Sequence, residues 1–579
     1  MQYSELDKYF KFRFEELLNK STPDSYRVRN HNVLSILEEL CELIEGWQKR
    51  RIQSPETVVL CAEECKKLIN DDAWIDYSFY DKRLLISNIE EYIKIVPDSK
   101  DKRESIYEAS SKLKYLCRKC INLNSNIYAR NLFTYLIGEI SKPGDMDADG
   151  CYVEEMQSFD KALSFLCSEL LRLGHSKNHL YMKASRLLAG KININSMRDQ
   201  LLTQHNTSYE VVYRFQSNKY IDACKDEYGF VDNVDDIKDK LTNPRGEVPC
   251  KSFLTPTQST LFKVFKVEAL DTYAAIKKAK NSMALLLDTL HLGNSAQTSK
   301  FEPNVLVISE ATTGGFYSGL RNHDYQLDGT HESDPEMSNR LKSYVDEILD
   351  SRLVKDDAKE RLKSALRHLR IANDSNDLES RFVNYWIALE FIFSSPISSE
   401  NTFARIKKHL VNILCYSYTA RNIQYLDGLL HKEGVLPANG SLTSMTDAEW
   451  GSLINSITNC MTQYRLCKMK SHLRNKQSVG EYLTCHKTNL EWHIVRIYRM
   501  RNELIHEAAL KHDIEGATSN LRYYLVLVLN QLINYFHSAS MLVSINDFFH
   551  DFENKANIIF ENKDRDYILK VEYETSLIC

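Results

Sequence analysis

The stretch Leu490-Glu491-Trp492-His493-Ile494-Val495-Arg496-Ile497-Tyr498-Arg499-Met500-Arg501-Asn502-Glu503-Leu504-Ile505-His506 decides how this chain is read. Leu490, Ile494 and Ile497 are spaced by four and three, so they share one helix face, and Leu504 and Ala508 continue the stripe. Arg501 stands on that stripe where an apolar residue is due. A guanidinium on a buried face costs several kcal/mol unless it is paired or faces a polar cavity. An adjacent stripe, Val495, Arg499, Asn502 and His506, sets more polar groups beside it. Two arginines, an amide, the Glu503 carboxylate and a histidine thus fall within eight residues, side-chain types suited to handling phosphate. Arg501 and His506 are five positions apart, about 140° around an ideal helix at roughly 100° per residue. A substrate has to lie across the helix shoulder or against a second copy of it.

The chain has 579 residues, too long for one core, and two to four domains are expected. It is 43% hydrophobic and 26% charged with only 19 Gly and 11 Pro, which favours helices over disorder or a mostly-β fold. The net charge of −5 means that any affinity for nucleic acid must come from a local patch. The most apolar segment, Leu521 to Phe536, is interrupted by Arg522, Asn530, Gln531 and Asn534 and reads as a buried core helix, not a membrane span. Met1 to Asp7 lacks a basic-then-apolar leader, so a soluble, cytoplasmic protein is expected. The 14 cysteines are scattered through helical patterns and read as reduced, mostly buried thiols. Cys61/Cys65 and Cys117/Cys120 have the spacing of a composite zinc site but no glycine knuckle, and helix packing is the favoured reading.

Periodicity predicts a mainly α, multi-domain chain. An N-terminal helical bundle spans 1–203, with stripes at Tyr9-Phe10, Phe14, Leu17-Leu18 and at Val33, Ile36-Leu37, Leu40, Ile44 and further helices at 56–69, 80–96, 101–121, 125–141, 153–174 and 176–190. A small α+β module follows at 205–312. Its strands are expected at Tyr209–Phe215, Leu261–Val267 and Val305–Ile308, with a helix from Asp271 to Leu290. Residues 313–334 read as a linker, 335–545 as a second helical domain, and 546–579 as a short β appendage carrying Asn557-Ile558-Ile559-Phe560 and Tyr567-Ile568-Leu569-Lys570-Val571.

The pattern Arg501-Asn502-x-x-x-His506 resembles the signature of the HEPN superfamily, an Arg usually followed by a polar residue and a His four to six residues beyond. About 110 residues upstream, Phe382-Val383-Asn384-Tyr385-Trp386-Ile387-Ala388-Leu389-Glu390-Phe391-Ile392-Phe393 resembles the Trp-x-Ala-Leu-Glu helix of the Apea-like HEPN branch of bacterial anti-phage proteins. The resemblance covers roughly 335–545. It implies a HEPN-type helical bundle and a metal-independent endoribonuclease that needs no cofactor. His506 is then the general base on the ribose 2′-hydroxyl or the general acid on the leaving 5′-oxygen, and Arg501 holds the scissile phosphate. Asn502 and Glu503 orient the phosphate and the imidazole. Arg499 is a reserve cation, and Glu390, at the edge of the Phe382/Trp386/Leu389/Phe393 stripe, is a partner for Arg501. The implied setting is an antiviral-defence or toxin effector acting on RNA, with tRNA among the candidates. The implied assembly is a homodimer through the C-terminal domain, with residues before 330 sensing a phage-derived or regulatory protein trigger. The alternative is an inactive HEPN-like scaffold or sensor subunit that binds RNA or protein without cutting.

Outside the motif, Tyr464, Arg465, Lys468, Lys470, Arg474 and Lys476, with His472 among them, form a basic run, and no Asp or Glu occurs between Gly451 and Gly480. A charge run is usually a solvated face; here it is read as an RNA track with Tyr464 as a stacking platform. Asp145-Met146-Asp147-Ala148-Asp149-Gly150 begins like a calcium loop, but the twelfth position is Met156, so a solvated acidic turn is the favoured reading over a calcium-responsive adaptor. Gly190-Lys191 lacks the rest of a phosphate-binding loop, and no dinucleotide, zinc-protease or serine-hydrolase fingerprint is present.

Overall fold

The structure is a computed structural model. It describes all residues but 1–4, 20–30, 53, 79–80, 97–102, 143–151, 242–246, 258, 294–300, 311–315, 323–326, 328–333, 376, 396–399, 438, 508–513 and 575–579. For 103–105, 152–155, 247, 291, 293, 316–317 and 506–507 it describes the backbone alone. The described chain is mainly helical with one small antiparallel sheet. Its contacts divide it into two units, residues 167–325 and residues 1–166 together with 326–579. The sequence reading cuts at 203 and 335 instead; long-range packing, which local periodicity does not report, joins the first helices to the last ones.

In the unit 167–325, four strands run in the order β2-β1-β3-β4: β1 Thr207–Gln216, β2 Thr260–Ala269, β3 Asn304–Glu310 and β4 Phe316–Asn322, all pairs antiparallel. The first three cover the expected strands. β4 lies in the segment expected to be a linker and is a correction. Among the described residues it is an edge strand paired to β3 alone, and its Ser318-Gly319 interior carries no apolar alternation from which to predict it. On β1, Val211, Tyr213 and Phe215 face the helix Thr272–Gly293, while Val212 packs with Phe253, Leu254, Phe262 and Leu306 on the opposite side. With both faces covered, the centre of β1 is a continuous buried run.

In the larger unit, the early helices lie where periodicity puts them. They include Glu5–Leu18, Val33–Gln48, Pro55–Asp71, Lys82–Ile95, Arg103–Asn124 and Tyr128–Ser141. Val33–Gln48 starts at a reciprocal cap in which Asn32 and Ser35 satisfy each other's backbone N–H. It packs on Pro55–Asp71 and on Arg103–Asn124, and Cys61, Cys65, Cys117 and Cys120 are buried thiols in these helices. The calcium-like loop falls outside the described residues except for its end, where Met156 is buried.

The C-terminal part of this unit is built on Leu378–Phe393, in which Phe382, Trp386, Leu389 and Phe393 are buried as their spacing requires. It pairs with Asp356–Asp374 and lies on Ile514–His537, the most completely buried helix. Thr402–Tyr416 packs against Ile545–Asn562 and the 32-residue helix Lys476–Glu507, which Pro55–Asp71 also touches. The expected β appendage is helical, Ile545–Asn562 followed by Arg565–Leu569. Phe548, Phe549, Phe552, Ala556 and Ile559 recur at helical spacing and are buried, so Ile558-Ile559-Phe560 is part of an amphipathic helix rather than a strand.

Candidate functional site

The long helix Lys476–Glu507 grades from core to surface along the stripe that carries the motif. Leu490, Ile494 and Ile497 are 5%, 1% and 1% exposed, Leu504 is half-buried, and Ile505 is exposed. Arg501 sits where the stripe opens, with its side chain 20% exposed, so it lies at the rim rather than deep in the core. Tyr498, one turn earlier, stacks on Phe403 at 3.8 Å and lies 5.6 Å from Trp386, which fixes this turn against Leu378–Phe393.

Arg501 Nη2 donates to Glu390 Oε1 at 3.3 Å, and Glu390 Oε1 also accepts from Trp386 Nε1 at 2.8 Å. Arg501 Nη1 donates to Asn502 Oδ1 at 3.2 Å. Its Nε is buried with no hydrogen-bond partner among the described residues. The structure therefore brings Glu390, Arg501 and Asn502 together. His506 is on the same helix, but its side chain lies outside the description.

Arg499 and Glu503 belong to a different neighbourhood. Arg499 Nη2 donates to Glu39 of the helix Val33–Gln48, and Arg499 Nε lies 3.8 Å from Glu503. Arg496, which the sequence reading did not single out, donates through Nε to both Glu39 oxygens at 3.0 Å and through Nη2 to Glu64 at 2.5 Å. His31 completes the cluster, 2.8 Å from Glu39. Burial alone would raise the Glu39 carboxyl, but the guanidinium groups of Arg496 and Arg499, with His31, hold it well below the ordinary carboxylate range. Arg499 is thus committed to an internal ion pair and is not a reserve cation. One signal for this was present: Arg496 and Arg499 stand at i and i+3, and Glu39 interrupts the apolar stripe between Leu37 and Leu40.

The expected RNA track is broken up in the same way. Tyr464 is 4% exposed and meets Tyr9 edge-on at 5.6 Å, so its ring faces the core and not a base. Arg465 donates to Glu16 and to Tyr425 Oη. Lys470 Nζ donates to the Asp447 carbonyl at 3.1 Å, and Lys468 sits over the Tyr464 ring. Only Arg474 and Lys476 are exposed. His472 stacks on Tyr482, and burial, with Lys468 nearby, pushes its pKa down to about 4. Among the described residues, no group of three or more His, Cys, Asp or Glu side chains is placed to hold a metal ion, and no helix is long and apolar enough to cross a membrane. Comparisons with protein-family models, with curated proteins and with solved structures gave no match.

Proposed function

We propose that this chain is a metal-independent endoribonuclease of HEPN type, serving as an anti-phage or toxin effector, with Arg501 as phosphate holder and His506 as the acid–base group. The observation that carries the reading is the meeting of the two family-like segments: Glu390 of the Trp-Ala-Leu-Glu helix, fixed by Trp386, receives Arg501 of the Arg-Asn-x-x-x-His helix at 3.3 Å. The partnerless Arg501 Nε–H supports it further. A buried donor left unmade costs about 1–3 kcal/mol, and a phosphate oxygen satisfies it. In the proposed reaction the substrate's 2′-hydroxyl attacks its own phosphorus, His506 moves the proton, and Arg501 stabilises the charge that builds on the pentacoordinate centre. Asn502 keeps the guanidinium oriented.

Exposed Ile505 and Phe391, at 44% and 39%, flank the motif residues in sequence and suit a contact with a second copy of this rim. The test is cleavage of single-stranded RNA by the purified chain with and without EDTA, with the product ends mapped. The expected result is a 2′,3′-cyclic phosphate and a 5′-hydroxyl in both conditions. Activity that vanishes on chelation and returns with magnesium or manganese refutes the mechanism.

One observation favours a second reading. Glu390 neutralises Arg501 and Glu39 consumes Arg499, an arrangement that an inactive RNA- or protein-binding scaffold also needs. RNA binding without product in that assay selects it.

A further inference from the structure

The outer face of the helix Arg103–Asn124 carries chemistry that the proposed cleavage site does not use. Leu113, Leu116, Cys117 and Cys120 are buried on one side of this helix. At roughly 100° per residue, Tyr107, Arg118, Tyr115, Lys119 and Lys112 fall within an arc of about 140° on the other side. Tyr107 and Tyr115 expose 64% and 62% of their surface. Lys119 Nζ stands 5.9 Å over the Tyr115 ring. Two acids, Glu104 and Glu108, fall in the same arc of the sequence as these three cations. The patch continues onto the helix Val33–Gln48. There Glu45 is shared by Lys114, at 3.5 Å, and by Arg118, and it is followed by exposed Lys49 and Arg50.

We propose that this face binds single-stranded RNA, with Tyr107 and Tyr115 stacking on bases and Lys112 and Lys119 meeting phosphates. The inference rests on RNA being the substrate of the proposed nuclease, and it names where the strand is held. Three arguments select this occupant. Exposed aromatic rings interleaved with cations are what a stacked, anionic strand requires. A helix face made to dock on protein instead repeats aliphatic residues at i, i+3, i+4 and i+7; here the face between the tyrosines carries Ser111 and Asn122, and the remainder is charged. Bases inside a duplex are already stacked, so the partner is single-stranded. With a net charge of −5 overall, RNA affinity must come from such a local patch. The run near Tyr464 and Arg465 does not supply it, because those two side chains are engaged internally.

The test uses the full chain carrying His506→Ala, so that RNA stays whole, and a fluorescein-labelled uridine oligonucleotide read by anisotropy. Tyr107→Ala with Tyr115→Ala weakens binding at least about tenfold, while Tyr107→Phe with Tyr115→Phe, which keeps the rings, stays within about twofold. Lys112→Gln with Lys119→Gln flattens the dependence of log affinity on log salt by about 1.4, or ~0.7 for each lost phosphate contact. An unchanged affinity in the double alanine variant, its melting curve matching the parent, overturns the proposal. A shift in self-association on sedimentation without loss of RNA affinity also overturns it and makes the face a protein contact. Cleavage is read separately in the chain that keeps His506: binding through the tyrosines without cutting defeats the nuclease reading alone, whereas cutting with binding indifferent to the tyrosines defeats this inference alone.

Discussion

At Arg501 the guanidinium meets Glu390 through Nη2 and Asn502 through Nη1, and its buried Nε has no hydrogen-bond partner among the described residues. A purely structural arginine and a phosphate-holding one predict different costs on removal. Loss of a group that stabilises transition-state charge lowers the rate by about 100- to 1000-fold, or ~2.7–4 kcal/mol. Arg501→Ala and His506→Ala are each expected to lower RNA cleavage by that much. Circular dichroism should be unchanged, and melting should shift little for an arginine already 20% exposed at the rim. A variant that melts normally and cuts RNA at the parent rate removes that residue from the mechanism. Glu390→Gln keeps an acceptor for Trp386 Nε1 and removes only the charge. It should retain folding and bind RNA more tightly, since the guanidinium is then left to the phosphate; weaker binding means that the carboxylate positions the arginine and does not compete for it.

Between elements, the strongest polar link described around the long helix is the Glu39 cluster, where Arg496 and Arg499 tie it to Val33–Gln48. Breaking a buried ion pair by removing one partner leaves the other charges uncompensated and costs about 3–5 kcal/mol. Glu39→Ala should lower stability in urea by that order, far more than Glu56→Ala, whose half-exposed link to Lys407 falls among surface pairs worth about 0–1 kcal/mol. Because Glu39 titrates below its unfolded value near 4.5, its contribution is present above that pH and lost as the pH falls further. Equal urea midpoints for the two variants would show that the cluster does not hold the helices together. What the sequence made legible at this scale follows from where the information lies. Helices marked by caps and a regular stripe, such as Val33–Gln48 behind Asn32, could be read directly. The contact between Arg499 and Glu39, 460 positions apart, could not, because nothing local says which carboxylate a buried arginine will meet. Tyr464 departs from expectation for the same reason: its cationic neighbours suggest solvent, yet its ring is covered by Tyr9 from a distant helix. The Glu390–Arg501 meeting was anticipated only through the family resemblance. The run Ile558-Ile559-Phe560 suggests a strand from sequence because a short apolar run fits both periods.

Across the whole molecule, two properties go beyond any one element. The first is acid sensitivity. His409 and His472 are held neutral by burial, with Lys408 and Arg405 adding for the former and Lys468 for the latter, and both titrate at about 4 against an ordinary value of 6.5. The stability they contribute is present above pH 6.5 and is lost as the pH falls toward 4, since the unfolded chain takes up the protons first. The melting temperature should therefore drop across that window. His409→Phe, which keeps the stacking on Phe549, should recover part of the drop; an identical pH profile would mean that His409 does not contribute. The second is the proposed assembly of two copies. Arg501 and His506 are about 140° apart on one helix, so a single copy offers a phosphate its cation and its imidazole on different flanks. In the proposed dimer, two copies related by a two-fold axis, the commonest oligomer symmetry, would bring the Arg501 helix positions of each chain and the His506 positions of the other to one cleft. The two arginines facing each other there need an anion between them. Mixing Arg501→Ala chains with His506→Ala chains, each inactive alone, regenerates one cleft in the heterodimer with both groups intact. Sedimentation should show a dimer, and the mixture should regain up to about a quarter of the parent rate, because random pairing makes half the dimers mixed and each of those keeps one intact Arg501–His506 pair of the two in its cleft. A strictly monomeric chain that cuts RNA, or a dimeric mixture that stays silent, rules out the shared cleft.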